Sequence, residues 1–238
     1  MQTRTHAPLD DEGDFTAFDI LFDPARQFAR LAVRPRFTVP ILVLTFGTLA
    51  LAIAYYSRLD YGWFAQHLIA SNPIVARAAH GADLHLTKET LMWPAVFAAA
   101  SSIPVQWLLQ SLYVLFVAAA LRRPLALSQA LALTAWAGIP YIVAMLPSAI
   151  NLGLHGDGRM PPEQLDPTTF EAMFGSPDEA LLRGLAARVG LASLWAWMLF
   201  AIGLRVTLSL RWRVAITLVA VPTMLVLGGS AALAVIAG

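Results

Sequence analysis

Five stretches of this chain, at about 37–56, 91–121, 130–152, 191–210 and 214–236, contain no Asp, Glu, Lys or His. At 1.5 Å of rise per helical residue, about 20 residues cross a hydrocarbon layer roughly 30 Å thick, and each stretch is that long or longer. Water is absent from such a layer, so every backbone N–H and C=O must be satisfied within the segment, which a helix achieves and an open strand does not. The expected fold class is all-α: a polytopic membrane protein built as a five-helix transmembrane bundle. Charged residues make up 13% of the chain and hydrophobic ones 58%, where a water-soluble domain is about 25% charged.

The segments between the apolar runs read differently. Residues 1–20 carry Asp10, Asp11, Glu12 and Asp14 without periodicity and read as a mobile acidic tail. They lack the basic start and apolar core of an export signal, so the first run is expected to act as an uncleaved anchor. Residues 21–36 form an interfacial amphipathic helix, and 37–238 the transmembrane domain, with extracytoplasmic loops at 57–90 and 153–190. The second run is longer than one straight crossing needs, and Pro94 and Pro104 can kink it. The third is interrupted at Gly138-Ile139-Pro140 and again at Pro147. Ser176-Pro177-Asp178-Glu179 has the form of a capping box with proline at the first helical position; the helix it starts is expected to continue unbroken into the fourth run.

Orientation follows from the arginines. In "LFDPARQFARLAVRPRF" Asp23 and Pro24 start a helix, Arg26, Arg30 and Arg34 recur every four residues on one face, and Pro35 ends it. Arg122-Arg123 and Arg211-Trp212-Arg213 make the two shortest connections basic. With Arg4, Arg36 and Arg205, ten of the 16 basic residues lie on the N-terminal side. Short basic loops stay in the cytoplasm, which predicts the N-terminus inside and the C-terminus outside. The helix before the first run is then expected in the inner interface, arginines toward anionic headgroups and Phe28 and Leu31 toward acyl chains.

Few residues in the runs carry chemistry. Arg205 is the one charge, near enough to the cytoplasmic end to snorkel. With no intramembrane carboxylate there is no evident proton carrier for coupled transport. Ser102, Gln106 and Gln110 recur every four residues on the second run; amides in hydrocarbon need partners, so this stripe is expected to face the bundle interior or a wet groove. Pro140, Tyr141, Pro147 and Asn151, on the broken third run, complete a candidate polar groove. Gly228-Gly229-Ser230 would let another helix approach the fifth run closely. In the loop at 80–85, His80, Asp83 and His85 are a weak candidate metal set, with His67 or His155 as a fourth ligand, but their spacing matches no standard zinc motif. The chain has no cysteine, a net charge of +1, no phosphate-cradling glycine loop and no Gly-x-Ser-x-Gly elbow. Thiolate chemistry is thereby excluded, and no nucleic-acid partner, cofactor or catalytic residue is expected.

The "LFDPARQF" lead-in and the third run, "LTAWAGIPYIVAMLPSAINL", resemble the Yip family of integral membrane proteins and its bacterial relatives, from about Leu21 to the C-terminus. The resemblance implies five spans with a cytosolic N-terminus and no enzyme activity. Eukaryotic members engage Rab GTPases through cytosolic N-terminal regions; the short acidic N-terminus here departs from that pattern and speaks against a GTPase partner. Some bacterial relatives resemble accessory subunits beside ABC-type export systems. The expectation is a multi-pass protein of the bacterial inner membrane, in contact with lipids and with a membrane-protein partner such as an ABC-type export complex, acting as a non-enzymatic accessory or scaffold. The alternative is a lipid or small-solute conduit along the groove between the second and third runs.

Overall fold

The structure, a computed structural model, describes residues 19–71, 75–77, 87–177 and 179–237. The acidic residues of the N-terminal tail and His80, Asp83 and His85 lie outside the described residues. Every regular element among those described is helical; the sole β-type contact there is a bridge between Thr169 and Gly190. In chain order the α-helices are α1 (Asp19–Phe22), α2 (Pro24–Val33), α3 (Thr38–Arg58), α4 (Tyr61–Ser71), α5 (Lys88–Ala120), α6 (Leu127–Ala137), α7 (Ile139–Leu154), α8 (Phe170–Phe174), α9 (Ala180–Ala186), α10 (Leu191–Thr207) and α11 (Trp212–Ala237), with a 3-10 turn at Pro162–Gln164.

Among the described residues, four segments are long and apolar enough to cross a membrane: Thr38–Arg58, Lys88–Ala120, Leu127–Leu154 and Trp212–Gly229. The fourth apolar run of the sequence becomes α10, a helix of 17 residues. Its length is about 26 Å at 1.5 Å per residue, just short of a full hydrocarbon core. α5 has 33 residues, about 50 Å by the same rise. Thr87 opens it through reciprocal bonds with Thr90. Both internal prolines, Pro94 and Pro104, are carried inside the helix rather than ending it.

The third run divides at Gly138, where the helix closes with a tight turn, Gly138 N–H to Ala135 O at 3.2 Å, before α7 starts with Pro140 in its first turn. α3 packs against α5 and α7, α5 also against α6, and α10 against α6, α7 and α11. Where α6 meets α5, the hydroxyls of Ser111 and Thr134 are 2.9 Å apart and fully enclosed.

Two expectations need correction. The expected helix from Ser176 through the fourth run is two helices. α9 starts only at Ala180, after Glu179, and Ser176 instead donates its hydroxyl to Glu171. The chain then leaves helix at 187–190, because Phe170 N–H bonds Val189 O at 2.9 Å and Leu191 N–H bonds Thr168 O at 3.0 Å. Gly190 permits that crossing: a Cβ there would lie 2.4 Å from Thr168 O. Second, Phe28 and Leu31 do not face acyl chains. They are 0% and 3% exposed, inside the protein core. α2 lies along α6 and α10, and its apolar stripe is covered by them.

Candidate functional site

The first candidate feature is the end of the bundle reached by α2 and by the turns after α5 and α10. Asp23 caps α2, its Oδ1 accepting from Arg26 N–H at 3.2 Å, and Pro24 sits at the first turn, as the sequence pattern requires. Phe28 then packs against Gly203 of α10, where Leu133 of α6 also comes close. Two side chains of α6 hold the segment that follows. Gln129 Nε2 donates to Ala32 O at 2.6 Å, and Trp136 Nε1 donates to Arg36 O. The linker around Pro35 is thus pinned on both sides, and α2 is a fixed part of the bundle.

Burying Phe28 and Leu31 turns the other face of α2 outward, with Arg26 and Arg34 exposed and Arg30 half-buried. Arg122 and Arg123 are exposed in the turn between α5 and α6, Arg211 in the turn between α10 and α11, and Arg213 in the first turn of α11. Both turns share one geometry. Arg123 N–H reaches back to Ala118 O at 2.8 Å and Leu210 N–H to Arg205 O at 2.9 Å, with Arg122 (φ 54°) and Ser209 (φ 51°) left-handed between them. This is a Schellman closure with a non-glycine residue in the position that favours glycine. Arg205 rests over the Trp212 ring, 4.8 Å from its centroid, which draws its charge toward that end as snorkelling predicts.

The second candidate feature is a partly open cavity of about 420 Å³ lined by α3, α5, α6–α7 and α10. It captures part of the predicted groove. Gln106 and Gln110 line it from α5, Tyr141 from α7. Ser102 does not: it is exposed, and its hydroxyl turns back to Ala99 O at 3.0 Å. Pro140 and Pro147 shape the helix without lining the cavity. Asn151 is also outside it, donating to Gln164 O at 2.7 Å and Leu165 O at 3.3 Å, so that it ties the following loop to α7. The carbonyl of Ala144 near Pro147 is answered by Ser148, at 2.9 Å.

Sequence reasoning missed several polar contributors, among them Asp166, Arg188 and Ser193. The first two come from the 153–190 loop, which is built as a cover. Tyr55 Oη donates to Met160 O at 2.7 Å, Asp60 pairs with Arg159 at 3.0 Å, and Asp60 N–H bonds Gly158 O at 2.9 Å. Gly158 has φ 70°, and a Cβ on it would come within 2.4 Å of Arg58 O, so only glycine fits that turn. The Trp63 N–H, and then Arg159, hold the Asp60 carboxyl below its ordinary value. α4, also missed, begins at this Asp60 cap, and the pattern "DYGWFAQHLIA" carried the signal.

The two histidines offered as fourth metal ligands are engaged elsewhere: His67 stacks on Trp63 and faces Glu163 at 3.8 Å, and His155 Nδ1 is 2.9 Å from Asn151 O. Among the described residues no group of three or more His, Cys, Asp or Glu could hold a metal ion. Gly228 and Gly229 face open space, so no helix among the described residues uses that close-approach surface.

Comparison with curated proteins and with solved structures returns no match. The family model described as the Yip1 domain matches residues 18–233, from the capped lead-in through the last helix. Apolar helices of membrane length, a docked helix before the first of them and a match over nearly the whole chain lead to one conclusion: this is a multi-pass membrane protein belonging to the Yip family.

Proposed function

We propose that this protein is a non-enzymatic accessory or scaffold subunit of a larger membrane complex. Five spans cross a bacterial inner membrane, with the arginine-bearing end cytoplasmic and the C-terminus outside. The observation that supports the reading best is the docking of α2. Phe28 and Leu31 lock α2 onto the bundle with exposed Arg26, half-buried Arg30 and, at its C-terminal end, exposed Arg34 on the other side, producing a rigid basic platform rather than a catalytic pocket. Such a platform suits anionic headgroups and an acidic partner surface. Core hydroxyls support the same reading, since Ser111, Thr134 and Ser148 are spent on neighbouring helices or on their own backbone. An ABC-type export complex is the most specific partner, and it comes from the resemblance to bacterial relatives. Tagged protein extracted from its native membranes is expected to bring down one membrane-protein partner in near-equal amount. Recovery of the chain alone, together with lipid or solute flux in vesicles containing only this protein, overturns the proposal.

A second reading, a lipid or small-solute conduit, is favoured by the cavity, where Gln106 and Gln110 face Tyr141 across the bundle. Flux in those same vesicles decides between the two.

A further inference from the structure

We infer that the cavity between α5 and α10 is a binding site for one amphipathic molecule with a zwitterionic phosphoethanolamine-type headgroup, supplied by a phospholipid. This deepens the conduit reading only by sharing its site, and a molecule can be held there whether or not it is transported.

Four observations converge. The volume, about 420 Å³, lies within the range of small-ligand sites. Gln106 and Gln110 sit in the middle of an apolar helix, line this space, and have no hydrogen-bond partner among the described residues. In hydrocarbon such amides need a bound polar group or water. The mouth on the loop side carries one charge of each sign, Asp166 and Arg188. Asp166 is positioned through Oδ1, which accepts from Thr168 N–H at 2.9 Å and Thr168 Oγ1 at 2.7 Å, leaving its other oxygen without a bond among the described residues. Finally, α5 and α10 both line the cavity without an extensive contact between them, and the apolar side chains of Leu44, Trp197 and Phe200 line the same space.

The chemistry follows from these positions. Arg188 suits a phosphate and Asp166 an ammonium, since each charge at the mouth is best met by its opposite. A purely anionic headgroup would leave Asp166 opposed by like charge, and a cationic one would do the same to Arg188. The Gln106 and Gln110 amides, which line the space from α5, suit ester carbonyls. Acyl chains would leave between α5 and α10.

The test uses the full-length protein in nanodiscs of equal phosphatidylethanolamine and phosphatidylglycerol, followed by native mass spectrometry. One phosphatidylethanolamine per protein is expected to be retained. Arg188→Gln and Asp166→Asn are each expected to lower its retention about tenfold, the scale of a lost charge-assisted bond, and Gln106→Leu with Gln110→Leu to abolish it. Ser102→Ala, outside the cavity, is expected to leave retention unchanged. Wild-type competition keeps the question decidable should a variant misfold: added phosphatidylethanolamine must displace the retained molecule, and soluble phosphoethanolamine must do so only weakly. Equal retention of both lipids, no retained lipid, displacement by the soluble headgroup as effective as by the lipid, or retention unaffected by the paired glutamine variant each overturns the inference. Loss of flux with retention intact rejects only the conduit.

Discussion

Phe28 lies across Gly203, and a Cβ built on that glycine would come within 3.1 Å of the phenyl ring and 3.1 Å of Leu133. The contact joins a helix outside the apolar runs to one inside them, and it decides which way the α2 arginines point.

Gly203→Val is therefore expected to overpack this contact and destabilise the folded protein by about 1–3 kcal/mol. Thermal unfolding in detergent should show the lower midpoint, and limited proteolysis should release the segment before α3 sooner. Unchanged proteolysis would mean that α2 is held without this contact.

The pins on the Pro35 linker should be separable from that packing. Gln129→Ala removes the bond to the half-buried Ala32 carbonyl, and Trp136→Phe the bond to that of Arg36; each is expected to cost about 0.5–1.5 kcal/mol. Hydrogen exchange at 30–40 should accelerate in both, while exchange in α7 stays near wild type.

At Ser209 the backbone is left-handed, φ 51°, without the glycine that conformation favours. Ser209→Gly is expected to stabilise the protein by about 0.5–1 kcal/mol. A lower unfolding midpoint would show that the Ser209 side chain matters more than its backbone.

Asp60 makes the loop clamp pH-sensitive. Its folded carboxyl titrates below the usual 3.8, so its contribution is complete above that value and fades as pH falls through the lower, folded one. Exchange at 156–165 is expected to stay slow from neutral pH to about 4 and to rise in stronger acid. Asp60→Asn should show fast exchange already at neutral pH, with a flatter acid response.

Reversing the charge of the platform tests the proposed orientation. Arg26→Glu, Arg30→Glu and Arg34→Glu together are expected to weaken insertion or invert the protein. Reporter fusions after residues 123 and 158 should report this, and an unaltered pattern removes these arginines from any orienting role.

Much of the architecture could be read from short-range patterns. Asp23-Pro24 marked a helix start because its bonds involve neighbours in the chain, and Gly138-Ile139-Pro140 marked a break for the same reason. The groove was only partly legible: Gln106 and Gln110 belong to the cavity, but Ser102 satisfies itself one turn back and Asn151 serves the loop. Asp166 and Arg188 carried no signal, since nothing local distinguishes a charge at a cavity mouth from one in water.

Length and the absence of charge alone determined that these helices belong in a bilayer, because hydrocarbon leaves a backbone no other solution. Which partner covers an amphipathic face is a different matter. For Phe28, lipid and a glycine-lined helix are equally apolar destinations, and only the assembled bundle, by placing Gly203 beside Leu133, selected the protein.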